Sequence, residues 1–368
     1  MMRMLTETPG RSAPPVRAAL AASIALCLGG CGTPYLMQAA SGEWHVMHAR
    51  EPIAQVIADP KTPAPLRARL TLVSEAREFA TRELALPDNQ SYRTYADIGR
   101  DYVVWNVVAT PEFSVVPRHW CFPVAGCVSY RGYFHESAAR KFAAEMAGEG
   151  FDVAIDPVPA YSTLGKFADP VLSSMLRYGD DELVATIFHE LAHQLLYVKD
   201  DSAFNEAFAT TVEDAGLERW LMQHGSQSGI QEFRADAVRE EAFLKVLANA
   251  RAQLAALYAT ALAPQPMRER KRQILAALGQ DIHAFEKREQ VSYPLYDQWI
   301  TDGLNNARLA SVATYYDCVP GFKKLLAKEQ GDLPAFYAAA RALAKLPRKE
   351  RHQRLCGPAA AAADAEED

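Results

Sequence analysis

The pattern of apolar and polar residues divides the chain into a helical start, a strand-rich middle and a long helical remainder. Residues 35–59 and 64–83 carry apolar side chains at helical spacing, which predicts one helix in each range. From Tyr102 the pattern changes to short runs rich in β-branched and aromatic residues, separated by Pro or Gly. These runs are YVVWNVVA, EFSVV, VSYRGYF and DVAIDP. We predict a small, largely antiparallel sheet, interrupted by one helix near 137–148.

After Tyr178 the apolar spacing is helical almost without a break to Leu355, including a long polar-faced stretch at about 229–289. A small sheet followed by a helical body predicts an α+β fold in which the sheet packs on helices. No clear linker is present, so we predict one domain. Its parts are a helical stalk (31–100), a small sheet (101–178) and a helical body (179–357). The low-complexity tail, 358–368, is predicted to be disordered.

The first 30 residues have the pattern of a secretory signal peptide. Three arginines precede the apolar run at 18–28, which is too short to cross a bilayer as a mature helix. The run leads into LGGC, which matches the lipobox of bacterial lipoproteins and predicts lipid attachment at Cys31. An ordinary signal peptide is the alternative. Because Gly32 is not an inner-membrane retention aspartate, resemblance to Gram-negative lipoproteins favours the outer membrane, facing the periplasm.

Composition and cysteine content fit an exported globular protein. Apolar residues make up 49% and charged residues 23% of the chain, and the formal charge of −6 argues against nucleic-acid binding. Four cysteines outside the leader and lipobox allow three pairings in an oxidising compartment. The turn-forming FPVAG between Cys121 and Cys127 favours 121–127 together with Cys318–Cys356. Four free buried thiols are the alternative.

The motif HELAH, within an uninterrupted helical pattern, carries the clearest chemistry. His189 and His193 lie four residues apart, so both imidazoles point to one face and can bind the same divalent ion. Glu190 lies about a quarter-turn away, where it can reach a metal-bound water without binding the metal. HExxH on a helix therefore predicts two metal ligands and a general base. A core helix with two satisfied histidines is the alternative.

A catalytic zinc usually has three protein ligands and one open position, so a third ligand is required. Glu206 lies near the start of a second predicted helix, AFNEAFATTVEDAGLERWL, which a short hinge allows to fold back on the first. Asp200 and Asp201 are competing candidates, although they follow the first helix closely. Leu196 and Lys199 occupy the positions where metzincins require Gly and His, which excludes that class.

HELAH followed by FNEAFATTVED resembles the gluzincins, in which a glutamate of the second helix binds zinc. The whole layout is similar to a bacterial family of predicted aminopeptidase lipoproteins. The shared segments are the lipobox, WCFPVAGC, PAYSTLGKFADPVLSSML and NNARLASVATYYDCVPGF, spread over nearly all of the mature chain. The resemblance implies a zincin-like fold and one Zn²⁺ held by His189, His193 and Glu206, with Glu190 catalytic. It also implies an oxyanion-stabilising role for Tyr315.

Some positions depart from the gluzincin pattern or leave alternatives open. Tyr316 and Arg308 are alternatives to Tyr315. Many gluzincins carry an acidic residue four positions after the zinc glutamate; here that position is Thr210. Glu213 can replace it, and a solvated surface glutamate is the alternative. No segment corresponds to the one that grips a free amino terminus in aminopeptidases of this type.

The segment VPAYSTLGKF precedes the HELAH helix, and such a segment can pair with the substrate backbone as an edge strand. Tyr161, Ser162 and Thr163 would then bind substrate, and a plain turn is the alternative. Together these features predict a zinc-dependent peptidase that hydrolyses periplasmic peptides through zinc-activated water, with Glu190 as base. An aminopeptidase is favoured over an endopeptidase. The alternatives are a lipid-anchored scaffold with an inactive zinc site and a non-peptidase zinc hydrolase.

Overall fold

A computed structural model describes residues 33–122, 126–225 and 227–356 of the chain. The chain divides into two compact units, residues 1–44 and 45–368. The described part of the first unit is the beginning of helix α1 (Thr33–His48). The predicted signal peptide, the predicted lipid site at Cys31 and the predicted disordered tail lie outside the described residues. None of the described helices has both the length and the apolar character that a membrane span requires.

The second unit contains most of the helices. After α1, the helices up to residue 224 are α2 (Ile53–Ala58), α3 (Ala64–Arg82), α4 (Glu136–Gly148), α5 (Asp180–Leu195) and α6 (Ser202–His224). The helices that follow are α7 (Gln227–Tyr258), α8 (Pro264–Glu289), α9 (Pro294–Asp302), α10 (Asn306–Tyr316), α11 (Val319–Lys328), α12 (Leu333–Ala344) and α13 (Arg348–Leu355). The sequence pattern predicted an almost wholly helical chain from Tyr178 to Leu355, and helices α5 to α13 agree with this prediction.

The described strands form three small sheets. They are β1 (Arg50–Pro52), β2 (Thr94–Ala96), β3 (Val104–Pro111), β4 (Trp120–Phe122), β5 (Gly126–Val128), β6 (Arg131–Tyr133), β7 (Phe151–Val158) and β8 (Val171–Leu172). The sheet β6-β3-β7 is antiparallel throughout, with Trp105 opposite both Tyr133 and Pro157. In the sheet β1-β2-β8, β1 is antiparallel and β8 parallel to β2. Strands β4 and β5 form a separate hairpin. Many helices with small sheets are compatible with the α+β class.

The structure differs from the predicted elements in the first half of the chain. The single helix predicted at 35–59 is wrong, because β1 interrupts it to pair with β2. Within the range predicted as a helical stalk, 31–100, α3 places Leu70, Val73 and Phe79 in the main core. The division of the chain into stalk, sheet and helical body stays a prediction. The strand predicted at EFSVV is a turn, closed by Ser114 Oγ accepting from the Val116 amide at 3.0 Å.

The main core joins α3, α5, α6, α11 and α12. Phe188 of α5, Phe204 and Phe208 of α6, and Phe322 and Phe336 of α11 and α12 are all fully buried. Burying a side chain of this size stabilises the fold by about 1.5–3 kcal/mol. A second cluster joins the α7–α8 pair to α10. The candidate metal residues therefore lie on the two helices at the centre of the larger core.

Helix α5 begins with three acidic residues, Asp180, Asp181 and Glu182, which favour the positive amino end of the helix dipole. Helix α6 runs antiparallel to it, because residue 206 lies beside residues 189 and 193 whereas residue 216 lies beside residue 188. Gly216 allows this close packing: a Cβ there would lie 2.7 Å from Leu84 and 2.8 Å from Phe188. The two helices are thus close enough for their side chains to share one centre.

Candidate metal centre

The structure brings His189, His193 and Glu206 together. The Nε2 atoms of the two histidines are 3.1 Å apart. Glu206 Oε2 lies 3.3 Å from His189 Nε2 and 3.4 Å from His193 Nε2. The three ligand atoms therefore form a nearly equilateral triangle between α5 and α6, as the spacing of HELAH and NEAFA predicts.

The donor set and its dimensions fit one zinc ion. Zinc binds imidazole nitrogen and carboxylate oxygen at about 2.0–2.2 Å, so tetrahedral geometry separates its ligand atoms by roughly 3.3–3.6 Å. Two edges of the triangle, 3.3 and 3.4 Å, agree with that separation, and the third, 3.1 Å, is slightly shorter. Three protein ligands in a tetrahedral set leave one position for water or substrate.

A fourth side chain orients the first histidine. Glu213 Oε2 lies 2.8 Å from His189 Nδ1, so Nδ1 carries the proton and Nε2 is turned to the centre. This carboxylate lies seven residues after Glu206, on the same face of α6, and so replaces the acidic residue missing at Thr210. His193 Nδ1 is buried and has no hydrogen-bond partner among the described residues. The two histidines are therefore held unequally.

The charges of the centre favour a negative Glu206 carboxylate beside a positive His189 imidazole. Burial alone would raise the pKa of Glu206, but the charges and hydrogen bonds of His193 and His189 outweigh it and lower this pKa to about 2. Burial alone would lower the pKa of His189, yet its hydrogen bonds to Glu206 and Glu213 hold that pKa well above its ordinary value. Without metal, the centre therefore holds a proton on His189.

Glu190 lies in the same buried region but has a different electrostatic environment. Burial raises its pKa, and the positive charges of His189 and His193 only partly oppose that effect. The negative charges of Glu206 and Asp169 raise the pKa further. A carboxylate whose pKa is raised toward neutrality can both accept and return a proton.

The two aspartates that compete with Glu206 are held elsewhere. Asp200 has a positive φ of 66° and its Oδ1 accepts a hydrogen bond of 2.6 Å from the Cys127 amide. Gly126 permits this contact, because any Cβ there would clash with Asp200. Asp201 caps α6 by accepting from the Phe204 amide at 3.1 Å. Glu206 is therefore the carboxylate that completes the triangle.

Sequence reasoning missed a polar cluster that holds the start of α6. The buried carboxylate of Asp201 also accepts from Arg351 Nε at 2.5 Å and lies 2.8 Å from His352 Nε2, both on α13. Asn205 closes the hinge twice, donating to Val198 O and accepting from Val198 N, each at 2.7 Å. The length of the hinge gave no indication that α13 contacts the start of α6. Asn205, which immediately precedes Glu206, could have indicated a contact with the hinge.

The three candidates for stabilising an oxyanion differ in position. Burial raises the pKa of Tyr315 well above its ordinary value, and the nearby charges of Glu206 and Glu190 add to this. No hydrogen bond of its hydroxyl occurs within the described part of the chain. Tyr316 donates to Glu240 at 3.1 Å, and the Arg308 guanidinium stacks 5.2 Å from the Trp299 ring. Tyr315 is therefore the candidate with a hydroxyl available near the centre.

The segment of Tyr161, Ser162 and Thr163 is a loop, without strand pairing. Thr163 donates to Asp169 from its hydroxyl at 2.6 Å and from its amide at 3.0 Å, and the Ser162 hydroxyl donates at 3.3 Å. Tyr161 packs edge-on against Phe134. These polar groups bind Asp169 and form a turn. Substrate binding by Tyr161, Ser162 and Thr163 stays a prediction. Gln194 of α5 also donates to Asp169 at 3.2 Å, which ties the loop to the HELAH helix.

The cysteines form the favoured pairing, Cys121–Cys127 and Cys318–Cys356. The first closes the β4–β5 hairpin, whose Cys127 amide bonds to the hinge through Asp200. The second joins the start of α11 to the end of α13. Because the sulfurs are bonded to each other, Cys318 and Cys356 do not offer thiolates to a metal. Each disulfide thus lies beside a segment that positions α6.

Two imidazoles and a carboxylate on paired buried helices, with a glutamate beside them, define a candidate metal-dependent enzyme. A protein-family comparison agrees with an enzymatic role: the chain belongs to the family described as "Putative aminopeptidase", whose model matches residues 34–355. That family description suggests a peptidase, and therefore a hydrolase. No curated protein and no solved structure matched the chain.

Proposed function

We propose that the protein is a zinc-dependent aminopeptidase with a zincin-like catalytic unit. The observation that carries the proposal is the triangle of His189, His193 and Glu206, whose edges of 3.1–3.4 Å suit a tetrahedral zinc ion. Glu190 lies on the same helix with a raised pKa, as a general base requires. The preference for amino-terminal cleavage rests on the family description alone.

Each side chain then has a separate task. Bound zinc would polarise the peptide carbonyl and lower the pKa of a water molecule. Glu190 accepts a proton from the attacking water and returns it to the leaving amine. Tyr315 donates a hydrogen bond to the oxygen on which negative charge develops. Glu213 keeps His189 in the tautomer that presents Nε2 to the metal.

The proposed location is the periplasmic face of the outer membrane, with lipid on Cys31. It rests on the arginine-rich leader, the short apolar run and LGGC. An acylated cysteine with more than one chain anchors a protein stably. A Cys31→Ser variant should leave the membrane fraction, and its retention there would contradict the anchor.

The decisive experiment compares the protein from Gly32 onward with its Glu190→Gln variant. We expect both to bind one zinc ion, measured by mass spectrometry of the metal. Hydrolysis of aminoacyl-coumarin amides and free dipeptides should fall about 10²–10⁴-fold in the variant, because the proton-transfer group is lost. Peptides with a blocked amino terminus should be poor substrates if cleavage starts at that end.

A matched control is Glu218→Gln on α6, whose carboxylate pairs with Arg234 at the surface, 2.8 Å from Nε. This control should keep full activity. Equal hydrolysis by the native protein and Glu190→Gln would contradict the assigned base. One zinc ion per chain with no cleavage of any peptide by the native protein would instead favour a binding lipoprotein.

A further inference from the structure

A groove of about 900 Å³ lies beside the sheet β6-β3-β7, outside the metal triangle. Its volume is that of a site for a small organic ligand or a short peptide. Small apolar side chains of α4 and β7 line it, including Ala144, Ala147, Val153 and Ile155. Ala144 and Ala147 are exposed, so a ligand in the groove would meet them directly.

The three arginines that line the groove differ in their ion-pair partners. Two of them lie beside carboxylates: Arg140 pairs with Glu136 at 2.6 Å, and Arg308 lies 3.5 Å from Asp302. Arg100 has no carboxylate partner among the described residues. Its guanidinium lies 5.8 Å from the centre of the Trp105 ring. The third carboxylate of the lining, Asp101, pairs with Arg177 instead, so the Arg100 guanidinium has no ion-pair partner within the described chain.

Arg100 is held in place by neutral acceptors. Its guanidinium donates to Val103 O at 3.0 Å and also to Phe134 O. These two contacts use two of its five N–H groups, and burial lowers its pKa by opposing the charge. A fixed, partly desolvated guanidinium binds a carboxylate with charge-assisted hydrogen bonds. The groove thus combines a small apolar floor with one fixed anion-binding group.

Arg308, which lines the groove, and Tyr315, the candidate oxyanion donor, lie on the same helix, α10. Arg308 and Tyr315 are seven residues apart, which places them on one face about two turns, or roughly 10 Å, from each other. Asp156 lies between them: it accepts from Ser311 Oγ at 2.5 Å, and its charge acts on both Arg308 and Tyr315. An extended peptide covers the same distance with about three residues.

We propose that this groove binds the carboxyl-terminal part of a short peptide substrate, and that Arg100 pairs with the terminal carboxylate. The inference rests on the proposed peptidase function, since the amino end of the same peptide would lie at the metal triangle. The apolar floor accepts small and aliphatic side chains, and the guanidinium recognises the end of the chain. The site selects peptides of a few residues over long ones.

Binding separates this inference from catalysis. Zinc-loaded Glu190→Gln protein is titrated calorimetrically with Ala–Ser peptides of two to six residues, each made as the free acid and as the carboxyl-terminal amide. At one length, the acid should bind about tenfold or more tightly than the amide, because a hydrogen-bonded ion pair is lost. In an Arg100→Gln background the acid and the amide should bind alike.

Ala144→Trp is the second variant, since it fills the groove and leaves Arg100 and its carbonyl contacts intact. Both forms of the peptide should bind at least tenfold more weakly to it. Its matched control is Glu145→Trp, an exposed neighbour on α4 that does not line the groove, and this control should bind like the parent protein.

Equal binding of acid and amide at every length would overturn the inference, as would unchanged binding in both Arg100→Gln and Ala144→Trp. If the native protein cleaves no peptide, the proposed function fails, while the acid–amide difference still tests the groove. If the native protein cleaves peptides but shows no acid–amide difference, the groove inference alone fails.

Discussion

Among the described residues, and apart from His352 beside the disulfide-bonded Cys318 and Cys356, two groups of side chains place possible metal ligands within 4.8 Å of one another, and these two groups differ in setting. His189, His193 and Glu206 lie between packed helices, with side chains 16%, 9% and 11% exposed. The group on α8 and α9 is open: His283 and Asp297 are 57% and 44% exposed, and Glu286 is the buried member. Proximity is the same in both groups, whereas the surroundings are not.

The difference shows what prepares a metal centre beyond distance. In the buried group, Glu213 fixes the orientation of His189. In the open group, Glu286 Oε1 accepts a hydrogen bond of 2.7 Å from the amide of Tyr293, a residue beyond the end of α8 at residue 289. That carboxylate has a structural role in the α8–α9 connection. We therefore expect tight zinc binding only at the buried group.

The largest expected effect on zinc affinity comes from removing the carboxylate of the buried group, compared with the same change in the open group. Glu206→Ala should weaken zinc binding by at least about a hundredfold, because one of a few ligand bonds sharing roughly 10–16 kcal/mol is lost. Glu286→Ala, the matched change in the open group, should leave one tightly bound zinc ion. Zinc competition with a chromophoric chelator measures both.

The comparison would break if Glu286→Ala lost the zinc while Glu206→Ala retained it. Thermal unfolding of both metal-free variants serves as the control, since each removes a partly or fully buried carboxylate. A loss of zinc without a matching loss of fold is the result that assigns the ligand.

The next effect concerns orientation. Glu213→Gln keeps the size of the side chain but weakens its hold on His189 Nδ1, so zinc affinity should fall about 10–100-fold. Asp297→Asn, the corresponding neutral change near His283, should have no effect on it. The same chelator competition assay measures the zinc affinity of both variants. Equal affinities in Glu213→Gln and the parent protein would show that His189 needs no orienting carboxylate.

The smallest expected effect is the change of zinc affinity with pH, which reports the proton released when zinc binds. The pKa of His189 is raised well above its ordinary value, so at neutral pH the metal-free centre carries a proton that zinc must displace. Zinc affinity should therefore increase with pH, by about tenfold per unit while His189 remains protonated, with about one proton released. Calorimetry in two buffers of different ionisation enthalpy counts this proton. Release of no proton at pH 7 would contradict the raised pKa.

Local sequence patterns were enough for the arrangement of α5 and α6. The spacing in HELAH places two histidines on one face, and a short hinge before NEAFA returns Glu206 to them. For Glu213 the sequence left two interpretations open, a carboxylate that orients His189 or a surface residue, because a glutamate on a helix face is also common in solvent. Its distance of 2.8 Å to His189 Nδ1 required coordinates.

Features that depend on distant pairing could not be predicted. Strand β1 exists because β2, more than 40 residues later, supplies its partner, and helical spacing around residue 50 conceals it. The turn at EFSVV has strand-like composition, but Ser114 Oγ accepts from the Val116 amide. Helix α8 also holds the segment, with Lys271 donating to Glu112 O at 2.9 Å. Local composition carries no information about such partners.

The contact of Asp201 with Arg351 and His352 has a consequence for assembly of the protein. The first turn of the helix that carries Glu206 is held by α13, 150 residues later in the chain. We therefore expect the ligand triangle to be completed only after α13, the last of the described helices, has emerged and docked, with the Cys318–Cys356 bond then securing it. Zinc loading should be among the final events of maturation, which would keep a nascent chain inactive.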